Sequence, residues 1–113
     1  MAVEKSLATG SMTLLLLSLL SQKEMYGYEM IEALREQSNN VFELKAGTLY
    51  PLLHGLEEKE FLTSYEKEVG GKVRKYYAIT KEGKRELKKK KEAWQEYAEA
   101  VSGVIGGVVY GNL

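Results

Sequence analysis

Hydrophobic runs separated by short polar breaks fill the first half of the chain and predict three helices. The run over residues 14–20 is interrupted only by Ser18 and is apolar on nearly every face, so it predicts a buried first helix that Ser11 can cap. A second helix is predicted over residues 28–37 and a third over residues 46–59. The third helix carries an inward-facing stripe of apolar residues at the i, i+3, i+4 and i+7 positions, namely Leu49, Leu52, Leu53 and Leu56.

The second half of the chain predicts a β-hairpin followed by one long helix. Residues 62–69 and 73–79 are rich in Val, Thr, Tyr and Ile, and the glycines at residues 70–71 predict the turn between them. Thr80 can cap the final helix, whose glycine-rich end predicts fraying after Val101. Apolar residues recur along this helix at coiled-coil-like spacing and predict a dimerisation seam formed by Leu87, Trp94, Ala98, Val101 and Ile105.

This order of elements predicts an α+β fold that is mainly α, a winged helix-turn-helix with a long C-terminal dimerisation helix. In such a fold the third helix reads the major groove of DNA and the hairpin forms the wing. We therefore expect a flexible N-terminal arm over residues 1–10 and a winged-helix DNA-binding domain over residues 11–80. Residues 81–113 are expected to form the dimerisation helix with its frayed, glycine-rich end.

The composition excludes several classes of function. The chain of 113 residues has no Cys, no Asp and a single His, so it lacks the side chains for disulfides, thiol nucleophiles and His-rich metal sites. We therefore predict that the protein is not an enzyme and binds neither a metal nor a cofactor. The apolar run over residues 14–20 is too short to span a bilayer and is followed by no cleavage pattern, which predicts a cytoplasmic protein without a membrane partner.

The charges are segregated along the chain although the formal net charge is zero. Residues 24–68 contain ten Glu and four Lys or Arg, whereas residues 72–91 contain ten Lys or Arg and two Glu. Such segregation indicates either a polyanionic or acidic partner, or a solvated helix face that keeps the protein soluble.

Three sequence motifs resemble the PadR family of bacterial transcriptional regulators. They are GTLYPLLHGLEEKEFL at residues 47–62, YGYEMIEAL at residues 26–34 and RKYYAITKEG at residues 74–83, with Trp94 at the spacing that the family shows. The resemblance implies a homodimer of winged helices, joined by the last helix, that binds a partly palindromic operator in double-stranded DNA, usually as a repressor. A single helix after the wing resembles the short subfamily, some of whose members sense drugs or other planar compounds.

Two positions depart from the family pattern. Glu60 stands where the family often has Gly, which implies either a different helix cap or backbone strain. At the wing tip, Lys72 and Val73 replace a more basic or Pro-containing pair.

The candidate DNA-binding residues share side chains that can contact phosphates or base edges. None of those on the third helix is an Arg, so readout of DNA shape is expected to carry part of any specificity. The candidates on the third helix, the wing and the start of the second helix are Lys45, Thr48, Tyr50, His54, Lys72, Arg74, Lys75 and Tyr28.

Each candidate also has a purely structural interpretation. Thr48 can be only a helix cap, Tyr50 can pack against the wing, and His54 can be an ordinary surface residue. Tyr28 can be buried in the core, and the wing cations can be solvated strand charges.

Trp94 and Ala98 are the candidate effector-binding residues, because an aromatic ring beside a small residue at a dimer seam leaves room for a planar aromatic ligand. The alternative is that Trp94 belongs only to the dimer core. For the whole protein, the alternative to a DNA-binding repressor is a winged-helix protein-interaction module that does not bind DNA. The acidic stretch over residues 24–68 favours that alternative.

Overall fold

The computed structural model describes the backbone of residues 5–106 and the side chains of residues 11–106. Within residues 5–106, four helices surround a small three-stranded antiparallel sheet with strand order β1-β3-β2. This arrangement confirms the predicted α+β, mainly helical, winged-helix fold. The elements are α1 (Lys5–Gln22), β1 (Met25–Tyr26), α2 (Gly27–Gln37), α3 (Ala46–Glu58), β2 (Leu62–Val69), β3 (Lys72–Ile79) and α4 (Lys81–Ile105).

The first helix lies at the centre of the core, as its apolar sequence predicts. Leu16 and Leu17 are fully buried, and α1 packs against α2, α4 and β3. The helix begins at Lys5 and not at Ser11, so the predicted arm is helical from residue 5 onward. Lys5, Leu7 and Ala8 all have high helix propensity, which explains the earlier start. Residues 1–4 lie outside the described residues.

The third helix buries its predicted leucine stripe and continues through a proline. Leu49, Leu53 and Leu56 are buried, and Leu52 is partly buried against the same core. Pro51 lies inside the helix, where it lacks the N–H that would bond to the carbonyl four residues earlier. The first turn is closed by hydrogen bonds to the carbonyl of Lys45, the N-cap, so the interpretation of Thr48 as the helix cap is wrong.

The end of α3 has the backbone of a glycine-closed helix but carries Glu60 at the left-handed position. Glu60 has φ 64°, and its N–H donates to the carbonyl of Glu57 at 2.9 Å. The N–H of Phe61 donates to the carbonyl of Leu56 at 3.0 Å, which completes a Schellman motif. Of the two outcomes expected from the sequence, the cap is therefore retained and the backbone is strained at Glu60, because a side chain disfavours this conformation.

Replacing Glu60 by Gly should stabilise the fold. Relief of the left-handed strain is partly offset by the greater freedom of Gly in the unfolded chain, so we expect a gain of about 0.5–1 kcal/mol in the free energy of unfolding. Urea unfolding at fixed protein concentration measures this gain in the free energy of unfolding. Lys59→Gly is the matched control, because Lys59 has φ −81° and the same exchange there should destabilise the fold. Equal destabilisation by both variants would contradict the strain at Glu60.

The hairpin forms the predicted wing. β2 and β3 pair from Leu62 opposite Ile79 to Val69 opposite Lys72, and Gly70 and Gly71 form the turn with φ of 60° and 81°. Positive φ at both turn residues is typical of the two-residue turns that match the twist of a hairpin. β1 was not predicted from the sequence, because a strand of two residues is too short to show an alternating pattern.

The start of α4 is fixed to the end of α3 by a hydrogen-bonded joint. The Thr80 hydroxyl accepts from the N–H of Gly83 at 3.0 Å, as the predicted cap, and donates to the carbonyl of Glu60 at 2.6 Å. The Thr80 N–H donates to the carbonyl of Phe61 at 3.0 Å. A β-carbon on Gly83 would lie 2.2 Å from that carbonyl oxygen, so the close packing of α4 on Phe61 requires Gly at this position.

The last helix is long, as the sequence predicts, and ends a few residues after Val101. It passes through Gly103 to Ile105 and ends at Gly106, whose φ of 75° forms a left-handed cap. Gly103 alone does not end the helix, because one glycine costs only about 1 kcal/mol in a helix that is already nucleated. Fraying somewhere after Val101 stays a prediction. Residues 107–113 lie outside the described residues. Between residues 5 and 106, no helix combines the length and the apolar character needed to cross a bilayer.

Candidate nucleic-acid interface

The exposed face of α3 presents the residues that the sequence proposed for reading DNA. Lys45, Thr48, Tyr50 and His54 are all exposed, on the side opposite the buried leucines. The same face carries Gly47, where an added β-carbon would meet nothing within 4 Å. Since Gly47 has no side chain and nothing lies above it, another surface can approach this face of α3 closely.

Tyr50 reaches from α3 to the N-terminus of α2. A β-carbon on Gly27 would lie 2.3 Å from the Tyr50 hydroxyl oxygen and 2.9 Å from its Cζ atom, so the absence of a side chain at Gly27 makes room for the ring. Tyr50 therefore contacts the start of α2, and the alternative that it packs against the wing stays a prediction. Tyr50 as a whole remains 42% exposed beside the first turn of α2.

Side chains in and just before the first turn of α2 form a hydrogen bond and an ion pair at its N-terminus. The Tyr26 N–H donates to the Glu29 carboxylate at 3.2 Å, and Lys23 lies 3.6 Å from the same carboxylate. Tyr28 is 61% exposed, so the interpretation that it is buried in the core is wrong. Tyr28 is in the first turn of α2 and the Tyr50 hydroxyl lies beside Gly27, so both residues are at the positive end of the α2 dipole.

The three wing cations do not form one cluster. Lys72 is exposed at the wing turn, and the Arg74 guanidinium lies over the Tyr26 ring at 4.4 Å from its centroid. Lys75 points to the other face of the sheet, where its Nζ lies 3.9 Å from a Glu57 carboxylate oxygen. Of these three predicted cations, Lys72 and Arg74 form no ion pair with a carboxylate in the part of the chain that the structure describes, whereas Lys75 does.

Three tyrosines support the base of the wing, and the sequence analysis did not identify them as a cluster. Tyr65 stacks on Tyr76 with ring centroids 5.8 Å apart, and Tyr26 meets Tyr76 edge-on at 5.4 Å. The Tyr65 hydroxyl donates to the carboxylate of Glu24, and this hydrogen bond raises the pKa of Tyr65. The only signal in the sequence was the alternation of Tyr in the strands, which does not reveal partners from three separate segments.

The predicted dimer seam divides into two parts in the structure. Leu87 is only 6% exposed and belongs to the core of its own chain, so its predicted place in the dimer seam is wrong. Further along α4, the apolar side chains become exposed, with Trp94 at 50% and Ile105 at 73%. We call the exposed set the α4 stripe; it consists of Trp94, Tyr97, Val101, Val104 and Ile105.

A hollow of about 230 Å³ lies beside Trp94 between α1 and α4. Its described lining includes Leu14 from α1, together with Lys90, Trp94 and Tyr97 from α4. The rings of Trp94 and Tyr97 are tilted, with centroids 6.0 Å apart. Ala98 is half-buried and is not among the described lining residues, so the structure does not bring it together with Trp94 at this hollow.

Residues 16–89 match the Transcriptional regulator PadR-like family, which is well over half of the chain. The chain belongs to this family. PadR-like proteins are transcriptional regulators, in agreement with the prediction that the chain is not an enzyme. Across residues 5–106, no three His, Cys, Asp or Glu side chains are grouped as they would be to hold a metal ion.

Relatives of this PadR-like protein cover nearly its whole length. It is 35% identical over 108 residues to Uncharacterized protein X of Lysinibacillus sphaericus, covering 94% of this chain and 98% of that one. The crystal structure of a PadR-like transcriptional regulator from Bacillus cereus has a TM-score of 0.81 at 28% identity, covering 92% of this chain and 100% of that one. A PadR family transcriptional regulator from Eggerthella lenta has a TM-score of 0.78 at 33% identity, covering 88% and 86%.

Proposed function

We propose that this PadR-like regulator binds double-stranded DNA as a homodimer, through two winged helices, and represses transcription from a partly palindromic operator. The observation that carries the proposal is the convergence of the Tyr50 hydroxyl and the exposed Tyr28 at the N-terminus of α2, with Arg74 of the wing held on the neighbouring Tyr26 ring. Repression and the palindromic operator rest on the family resemblance. We also propose a cytoplasmic location, since a bacterial regulator has to reach the chromosome.

Phosphate binding is the chemistry that this convergence supports best. The first turn of a helix offers unpaired N–H groups and the positive end of the helix dipole, both of which favour an anion. The hydroxyls of Tyr28 and Tyr50 can donate to the same phosphate backbone, and Arg74 and Lys72 add positive charge from the wing. These contacts fix the position of the protein on DNA without reading its sequence.

In this proposal, the exposed face of α3 contacts the DNA bases. Lys45, Thr48 and His54 carry the donors and acceptors that reach base edges in a major groove. α3 contains no Arg to bind guanine with two hydrogen bonds, so the deformability of DNA is proposed to contribute to specificity.

We propose that two chains form the dimer by packing their α4 stripes against each other. Val104 is 87% exposed, next to the exposed Ile105, on a helix that extends beyond the core of its own domain. An apolar stripe of this kind on a regulatory domain marks an interface with another chain. Two reading helices in a symmetric dimer are spaced by one turn of DNA, about 34–36 Å.

A salt titration of binding to random-sequence duplex DNA tests the proposed function. A protein that binds phosphates releases counterions, so its affinity should fall steeply as salt rises. The alternative function, a winged-helix module that binds another protein, is favoured by the excess of Glu over residues 24–68. Absence of duplex binding at low salt would overturn the DNA-binding proposal and favour that alternative.

We further propose that a planar aromatic compound binds beside Trp94 and releases the regulator from DNA. Trp94 is the only tryptophan of the chain, so the compound should quench the intrinsic fluorescence and weaken DNA binding over the same concentration range. The hollow between α1 and α4 offers ring faces from Trp94 and Tyr97 for stacking, and the Lys90 ammonium in its lining is paired with Glu86 at 3.6 Å. Fluorescence and anisotropy titrations with one planar dye measure both effects.

Trp94→Ala and Trp94→Phe provide the control for the effector proposal. Phe keeps a ring for stacking, so this variant should keep most of the DNA-release response, whereas Ala should lose it. A Trp94→Ala dimer that stays folded and responds fully would show that Trp94 belongs to the dimer core only. An effector can release the regulator only if it binds more tightly to a dimer whose reading helices do not fit the operator than to one whose helices do.

A further inference from the structure

One carboxylate connects the reading helix to both strands of the wing. Glu57 lies in the last turn of α3, and its Oε2 atom accepts a hydrogen bond from the Ser64 hydroxyl of β2 at 2.7 Å. Its Oε1 atom lies 3.9 Å from Nζ of Lys75 on β3. Ser64 and Lys75 are diagonal neighbours on one face of the sheet, because Ser64 pairs with Tyr77 and Lys75 pairs with Glu66.

The Lys75 ammonium is held in this position from two sides. Besides Glu57, it lies 5.5 Å from the centroid of the Tyr77 ring. Tyr77 itself is almost fully buried and forms part of the core, so the ring is a fixed surface for the cation. The side chain of Lys75 is still about half exposed, which means that the ion pair can open to solvent or to a phosphate.

We infer that Glu57 is a specificity-determining residue that keeps Lys75 from contributing to non-specific phosphate binding. The inference rests on the proposed DNA-binding function. A wing lysine neutralised by a carboxylate attracts phosphate less than a free one, and the Glu57 charge itself repels a phosphate that approaches Lys75. Glu57 therefore acts through Lys75 as a positioning residue, and it lowers the affinity that the wing has for any DNA regardless of sequence.

The test is the salt dependence of binding to random-sequence duplex DNA by the full chain and its Glu57→Gln variant. Gln keeps an oxygen that accepts the hydrogen bond from Ser64, so the wing should stay in place while the negative charge is lost. Because Lys75 is then free to contact phosphate, the Glu57→Gln variant should bind the duplex more tightly than the unchanged chain at low salt. The log–log slope of its affinity against salt concentration should become more negative by about 0.9 for each new phosphate contact, or about 1.8 for a dimer.

Two further variants separate this effect from a general change of charge. Glu58→Gln removes a carboxylate from the adjacent position, where Glu58 is exposed and forms no ion pair with a residue in the described range 11–106, so its slope should stay close to that of the unchanged chain. Lys75→Gln combined with Glu57→Gln should have the same slope as Lys75→Gln alone, because the effect passes through Lys75.

The outcomes distinguish this inference from the proposed function. An unchanged chain that does not bind duplex DNA would overturn the DNA-binding proposal. If the unchanged chain binds, the inference on Glu57 is overturned by an unaltered slope in Glu57→Gln, by an equal shift in Glu58→Gln, or by a shift that persists without Lys75. A steeper slope in Glu57→Gln alone, abolished by Lys75→Gln, supports it.

Discussion

Changing Lys72, Arg74 and Lys75 together to Ala should flatten the salt dependence of DNA binding from a log–log slope of roughly −5 to about −2. The first value assumes that each half of the dimer neutralises about three phosphates, through its wing and the N-terminus of α2, with a slope of about −0.9 per contact. The affinity of the unchanged protein should then fall by about a thousandfold between 50 and 200 mM salt. Anisotropy of a labelled duplex at several salt concentrations measures the slope.

The control for the wing variant removes the same number of cations from α4. Lys88, Lys89 and Lys91 are exposed on α4, to which the proposed function assigns dimerisation and no DNA contact. Their combined change to Ala should therefore leave the slope nearly unchanged. Within the wing, Arg74→Ala should flatten the slope more than Lys75→Ala, because Lys75 is paired with Glu57. An unaltered slope in the triple wing variant would mean that the wing does not touch DNA.

The elements of the wing and of α3 were predictable because each follows from a short-range pattern. The leucine spacing of α3 and the β-rich segments around Gly70 and Gly71 depend only on neighbouring residues, and their bounds agree with the structure to within a residue. The cap by Thr80 was predictable for the same reason, since its partner is three residues away.

The contacts that define the candidate interface were not predictable, because each joins segments far apart in the chain. Nothing near Tyr50 in the sequence indicates that Gly27 would leave room for its ring, and nothing near Lys75 indicates a pair with Glu57. The composition of the wing therefore indicated candidate cations but could not show which of them has a carboxylate partner.

The error at Leu87 has a different physical origin. Burial in the core of the same chain and burial against a second chain both require apolar residues at helical spacing, so periodicity alone does not separate the two. In the structure, α4 packs against α1 and β3 near its start, where Leu87 is buried, and its apolar residues become exposed from Trp94 onward. The residues of α4 that pack against α1 and β3 therefore belong to the core, and the apolar residues beyond that contact form the α4 stripe.

Val101→Glu should convert the proposed dimer into folded monomers. A carboxylate at this position of the α4 stripe would be buried beside apolar groups and, across the two-fold axis, near its own copy. With two side chains changed in each dimer, we expect a loss of at least about 4 kcal/mol in association free energy, or about a thousandfold in the dissociation constant. Analytical ultracentrifugation at micromolar concentration measures the change.

The fold of this variant should survive, because Val101 lies outside the core cluster that holds the winged helix together. Gln95→Glu is the matched control: it adds the same charge to an exposed position of α4 outside the stripe, so the dimer should persist. Circular dichroism should show similar helix content for both variants. A well-folded monomer of the unchanged chain at micromolar concentration would refute the dimer, since the exposed Val104 and Ile105 would then need another partner to cover them.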